Sequence, residues 1–241
     1  MAQSHKVAYR SRGRAARTKR ARRLPLLMIG LAIVVLIGGA IVVSKLAQPT
    51  VDVVPFTARP IDAPTGITPE GYAYKGSPEA SITVIEYGDF QCPSCAAFAT
   101  HQEPTFDQRY IETGKVRFIY HDYPLPQHNN AVIAAAAARA AGEQGKFWQM
   151  HDLLFARQRA WSTSNDIQPL LGSYAAAIGL DRQAFDQALT SEKYVAALET
   201  ARQQAGQRGV QATPTFEVNG TLVDASQLEA TIETLLQAKG T

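Results

Sequence analysis

The sequence predicts an α/β domain carried on a single membrane-spanning helix. Three observations predict it. An apolar strand, Ile82–Tyr87, runs into two cysteines spaced Cys-x-x-Cys at the mouth of a helix. The period switches from helical to strand-like near Thr215, after a long helical stretch. An uncharged apolar run, Leu26–Val43, follows a strongly basic N-terminus. With 241 residues, 46% of them hydrophobic, there is room for one ordinary core plus extensions.

Taken in order, residues 1–23 hold nine Lys/Arg and no acid, so the net charge of +3 hides a basic tail on a mildly acidic remainder. Such a tail suits nucleic acid, but the apolar run behind it decides against that partner. Its eighteen residues give about 27 Å of helix. The hydrocarbon core measures roughly 30 Å, and Leu24 and Pro25 extend the span. A cleaved signal peptide has a shorter apolar region of about 7–15 residues. The weak cleavage match, Gly38-Gly39-Ala40, falls inside the run. The expectation is a basic cytoplasmic tail (1–23) and a signal-anchor helix (24–43). The C-terminal domain then lies outside the cytoplasm on a single-pass cell-membrane protein. Residues 44–75 carry Pro49, Pro55, Pro60, Pro64 and Pro69 and read as an extended linker.

The folded domain is expected over 76–241. Strand Ile82–Tyr87 leads into the cysteines, and a helix runs on to about Thr113, with Pro104 kinking or dividing it. A second strand, Val116–Tyr120, ends at the Pro124/Pro126 turn. From about 127 to 209 the pattern is helical. An Ala-rich helix (Val132–Ala141) stops at Gly142, and Phe147–Phe155 places Trp148, Met150, Leu153 and Leu154 in the core. Asp181 and Ser191 suit N-caps. Thr215–Val218 and Thr221–Val223, joined by Asn219-Gly220, form a hairpin. Ser226 and Glu229 suit a capping box for a last helix with Leu228, Ile232, Leu235 and Leu236 on one stripe.

Cys92 and Cys95 are the only cysteines, so a four-cysteine zinc site is excluded within one chain. His101, His121, His128 and His151 lie at no finger-like spacing, and no metal or cofactor is expected. At a helix N-terminus the unpaired N–H groups and the dipole favour a thiolate. A redox dithiol therefore fits better than a structural pair, and Pro93 suits the helix opening.

The segment Glu86-Tyr87-Gly88-Asp89-Phe90-Gln91-Cys92-Pro93-Ser94-Cys95 resembles the active-site segment of bacterial DsbA-like thiol–disulfide oxidoreductases, above all the membrane-anchored BdbD type. Gly114–Phe118, His121–Leu125, Ala141–Trp148, Met150–Phe155 and Ala212–Phe216 match in family order. The resemblance implies a thioredoxin fold with a helical insertion, preceded here by the single transmembrane helix. It implies a protein disulfide oxidoreductase with Cys92 as nucleophile and Cys95 as resolving cysteine. Glu86 is then a buried acid that exchanges a proton with Cys95. Pro93 and Ser94 tune the potential, and together with Thr213 and a cis Pro214 they meet substrate. Ser94 departs from the histidine of the family's strongest oxidants. The implied partners are cysteine-containing extracytoplasmic proteins and a DsbB- or VKOR-like membrane redox protein.

Overall fold

The computed structural model describes residues 56–239. The basic tail and the apolar span lie outside the described residues. Six strands form one sheet in the order β1-β2-β4-β3-β5-β6. These are β1 (Thr65–Ile67), β2 (Ala73–Lys75), β3 (Ile82–Gly88), β4 (Val116–Asp122), β5 (Thr215–Val218) and β6 (Thr221–Val223). The central pair β3/β4 is parallel, and every other pairing is antiparallel.

β3 and β4 alternate faces as strands must. Ile82, Val84 and Glu86 point into the main core and are fully buried. Tyr87 lies on the other face with Ala205 and Val210. Residues 93–111 form one helical run, α1, which links the two parallel strands. It is α-helical over Pro93–Ala97 and Glu103–Phe106 and π-helical over Phe98–Gln102 and Asp107–Ile111. Pro104 therefore does divide the helix, by wide turns rather than a break. A proline without an N–H favours such a register change.

The insertion is helical, as expected: α2 (Ala131–Glu143), α3 (Phe147–Ala156), α4 (Gln158–Trp161), α5 (Gln168–Ala177), α6 (Arg182–Thr190) and α7 (Val195–Gln207). Trp148, Met150, Leu153 and Leu154 are buried in the core. The last helix, α8 (Ala225–Lys239), buries Leu228 and Ile232 completely or nearly so.

Four local expectations are corrected. Residues 65–75 are not tether: they supply β1 and β2, and Phe56, Ile61 and Ala63 pack on the core before them. The prolines misled because extended backbone suits an edge strand too, and Pro64 and Pro69 flank β1 rather than enter it. Gly76, at φ +100, turns the chain out of β2, and a Cβ there would meet the Val116 carbonyl at 2.3 Å. Ser191 is no N-cap: its hydroxyl donates to Ala188 O, and Glu192 at φ 51 breaks the chain before α7. The capping box does not form, because α8 begins at Ala225 and Glu229 pairs with Arg109 instead. The Ala-rich helix passes Gly142 and ends at Glu143. Asp181 does cap α6, accepting from Ala184 N at 2.9 Å, and the hairpin turns at Asn219-Gly220 with φ 46 and 89.

Candidate active site

β3 delivers the cysteines. Its end at Gly88 passes into Asp89-Phe90-Gln91, and Cys92 takes the N-cap of α1 in extended conformation (φ −72, ψ 124) with Pro93 in the first turn. Cys92 N donates to Asp89 O, and Ala96 N donates to Cys92 O. β5 runs antiparallel to β3 and starts at the same end, with Thr215 opposite Tyr87. That register brings the preceding Thr213-Pro214, whose peptide bond is cis, to the cysteines. The Cys92 thiol donates to the Thr213 carbonyl oxygen at 3.3 Å. Thus Cys92, Cys95, Thr213 and Pro214 come together although 121 residues separate Cys92 from Thr213.

Exposure separates the roles. Pro93 and Ser94 are exposed, Thr213 and Pro214 half-buried, Cys92 6% exposed and Cys95 0%. Both cysteines are free thiols. The Cys92 thiol is drawn down from an ordinary value near 9 to about 5. The Cys95 thiol, which donates to its sulfur, is the largest cause. Burial opposes, and the Thr213 side chain and the N–H groups of Cys95 and Ser94 add to the lowering. Burial pushes Cys95 well up, reinforced by its bond to Cys92 and by the charge on Glu86. One thiol is thereby prepared as thiolate and its neighbour kept protonated.

Glu86 lies on the face of β3 that the cysteines share and is fully buried. Among the described residues, neither of its carboxylate oxygens has a hydrogen-bond partner. Burial raises its pKa well above the ordinary value, the charge on Glu103 adds to this, and Lys75 opposes it. The face of Glu86, which alternation alone does not settle, is therefore the core face.

Several side chains that hold the site were not singled out in the sequence. Gln158 Nε2 donates to Phe90 O and Cys92 O at 2.8 and 2.9 Å, clamping the loop from α4. Asp89 accepts from Gln91 N, Leu125 N and His128 Nδ1. Gln91 in turn accepts from Asn130 N and donates to Ser162 O. The amide and histidine residue types carry no local signal of these partnerships. A cavity of about 520 Å³ lies on the opposite face of the sheet, lined in part by Tyr72, Tyr87, His121 and Arg208, and neither cysteine lines it.

Geometry of this kind, a dithiol at a helix mouth facing a cis proline, has relatives. Residues 68–238 match the family described as Thioredoxin. The chain belongs to the thioredoxin family. By sequence, the chain is 27% identical over 180 residues to the disulfide bond formation protein D of Bacillus subtilis (strain 168), covering 70% of this chain and 79% of that protein. The crystal structure of oxidised BdbD from Bacillus subtilis superposes with a TM-score of 0.64 at 27% identity, over 73% of this chain and 99% of that one. MdbA, a thiol–disulfide oxidoreductase from Corynebacterium diphtheriae, shares the fold at 18% identity with a TM-score of 0.62, over 74% and 96% of the two chains. A protein named Na(+)/H(+) antiporter NhaA 1, from Salinispora arenicola (strain CNS-205), is 37% identical over 163 residues, 66% of this chain. The match spans only 23% of that protein's length, so its name describes a much larger molecule. The enzyme class that the sequence implies, a protein disulfide oxidoreductase, is the class of the BdbD and MdbA neighbours of this thioredoxin-family chain.

Proposed function

We propose that this thioredoxin-family chain is a membrane-tethered oxidase that passes its Cys92–Cys95 disulfide to cysteine-containing proteins folding outside the cytoplasm. The observation that carries the reading is the split between the two thiols, Cys92 lowered to about 5 and Cys95 raised. A stabilised Cys92 thiolate favours the dithiol over the disulfide, which makes the disulfide an oxidant.

In the proposed cycle a substrate thiolate attacks Cys92 Sγ. The Cys92–Cys95 bond breaks, a mixed disulfide forms, and Cys95 leaves as a thiolate that takes the proton of Glu86. A second substrate thiolate attacks the substrate sulfur, Cys92 departs as its stable thiolate, and the substrate keeps the new disulfide. The half-exposed Thr213-Pro214 backbone offers an extended segment a strand-like partner beside the sulfur. Reoxidation falls to a DsbB- or VKOR-like membrane protein. The basic residues before the apolar run support a cytoplasmic N-terminus and an external domain.

The test is equilibration of the protein against glutathione buffers. The expected potential is about −120 to −200 mV, against roughly −270 mV for thioredoxin. A value near the thioredoxin figure would replace the oxidase with a reductase or isomerase. Absence of exchange would leave a tethered module that only binds extended segments.

A further inference from the structure

Beneath α1 the core buries charged side chains that thiol exchange does not itself require. Lys75, Glu103 and His151 are 0% exposed and Asp107 2%. Lys75 Nζ pairs with Glu103 Oε1 and sits 2.7 Å from Asp107 Oδ2, over the Trp148 ring. Arg59 reaches Asp107 from the margin at 3.0 Å. On the other side, His151 Nδ1 lies 3.0 Å from Asp152 Oδ1, and the Asp152 side chain is 14% exposed. His151 Nε2 points at Glu103 Oε2 across 4.0 Å, and neither atom has a hydrogen-bond partner among the described residues.

Stability alone does not account for this arrangement. Buried ion pairs are weak stabilisers, and each unpartnered buried polar atom costs free energy. Glu103, His151 and Asp152 lie close enough to share a metal ion. The Lys75 ammonium already on Glu103, and Arg59 within 4.0 Å of Asp152, oppose a further cation. A proton is the remaining cargo. Glu86 needs a route for one, since its cross-strand neighbours Tyr120 and Phe216 and the resolving Cys95 are all fully buried. After burial itself, Glu103 is the strongest influence on Glu86.

We propose that Glu103, His151 and Asp152 form the proton path between Glu86 and solvent. This rests on the thiol–disulfide reading above and deepens it. When the Cys92–Cys95 bond opens, Cys95 takes a proton from Glu86, and the Glu86 carboxylate is refilled through Glu103 from His151. His151 recovers its proton from solvent at Asp152. When the disulfide re-forms, the Cys95 proton leaves by the same groups in reverse. The aromatic wall of Phe90, Tyr120, Phe147, Trp148 and Phe155 holds the imidazole in line, its ring centroids 4.9 to 6.1 Å from His151. These residues act on Cys95 only through Glu86.

A path changes rates and leaves the equilibrium alone. The test is single-turnover reduction of the oxidised full chain by dithiothreitol, followed against pH in light and heavy water. His151→Phe, which suits the aromatic wall, should slow opening by about tenfold or more, less than the ~10²–10⁴-fold of a directly acting acid–base group because His151 acts through Glu86. It should also flatten the pH profile, while the equilibrium constant for disulfide exchange and the rate of Cys92 alkylation stay within about twofold of wild type, since neither needs the path. Asp152→Asn, at the exposed end, should slow opening in the same sense and decides the matter if His151→Phe does not fold. Wild-type rates and isotope effects in the variants would overturn the path, as would a parallel fall in Cys92 alkylation. If wild-type protein itself does not exchange, the functional reading fails instead.

Discussion

Glu86 and Tyr120 face each other across the β3–β4 pair, both fully buried, and neither the carboxylate oxygens nor the phenol hydroxyl finds a hydrogen-bond partner among the described residues. Unpartnered polar groups in a packed core are rare enough to need a reason. Under the proposed thiol–disulfide function the reason is chemical: a carboxyl left without donors favours its protonated form, which would suit it to exchange a proton with Cys95.

That conflict between stability and chemistry has a measurable sign. Burial raises the Glu86 pKa in the folded state, so its favourable contribution is complete below the ordinary carboxylate range and is lost as pH rises through the folded value. Glu86→Gln should therefore gain stability over wild type as pH rises, while disulfide opening slows. Denaturant unfolding across pH checks this, and a difference independent of pH would return Glu86 to an ordinary carboxyl.

The order of events at sulfur gives a second expectation. Cys92, 6% exposed, is the lowered thiol and Cys95, 0% exposed, the raised one. Cys95→Ser should accumulate mixed disulfides with substrate, because Cys92 still reacts and nothing releases the product. Cys92→Ser should accumulate few. Non-reducing gels of cells expressing each variant decide, and stronger trapping by Cys92→Ser would reverse the two roles.

What the sequence reveals here depends on distance along the chain. Cys92, Cys95 and Glu86 sit in one ten-residue segment whose strand-to-helix pattern carries its own explanation. The β5–β6 hairpin is legible for the same reason, since Asn219-Gly220 supplies both positive-φ residues. Errors arose where one local signal serves two structures. Proline-rich extended chain reads equally as linker or as the approach to β1 and β2, and Ser226 three residues before Glu229 reads as a capping box only if the helix begins between them. The supports of the site lie beyond any local pattern. Gln158 clamps Cys92 from 66 residues away, and Lys75 meets Glu103 across 28. Only the parallel crossover of α1 and the packing of the insertion bring such pairs together.

Gln158 supplies a third expectation. Its amide satisfies the buried carbonyls of Phe90 and Cys92 on either side of Gln91. Gln158→Ala should cost about 1–3 kcal/mol, the range for leaving buried polar groups unpaired. Because the lost bonds fix the N-cap that lowers the Cys92 pKa, the thiolate should also titrate at a higher pH. Urea unfolding and thiolate absorbance measure the two effects. A stability loss with no change in the thiolate would confine Gln158 to the fold.

The last expectation concerns the reduced protein. Cys92 falls from near 9 to about 5 on folding, so the folded state holds the thiolate more tightly than the unfolded chain does. For a depressed pKa the stabilisation is fully present above the unfolded value, near 9, and is lost as pH falls to the folded value, about 5. Reduced wild-type protein should therefore lose stability relative to reduced Cys92→Ser as pH drops between those limits, with little further change below. The oxidised protein has no Cys92 thiolate and should not follow that slope. Paired urea titrations of the two redox forms measure it directly. Parallel curves would mean that the helix mouth does not stabilise the thiolate, and the oxidising character inferred for the disulfide would lose its physical basis.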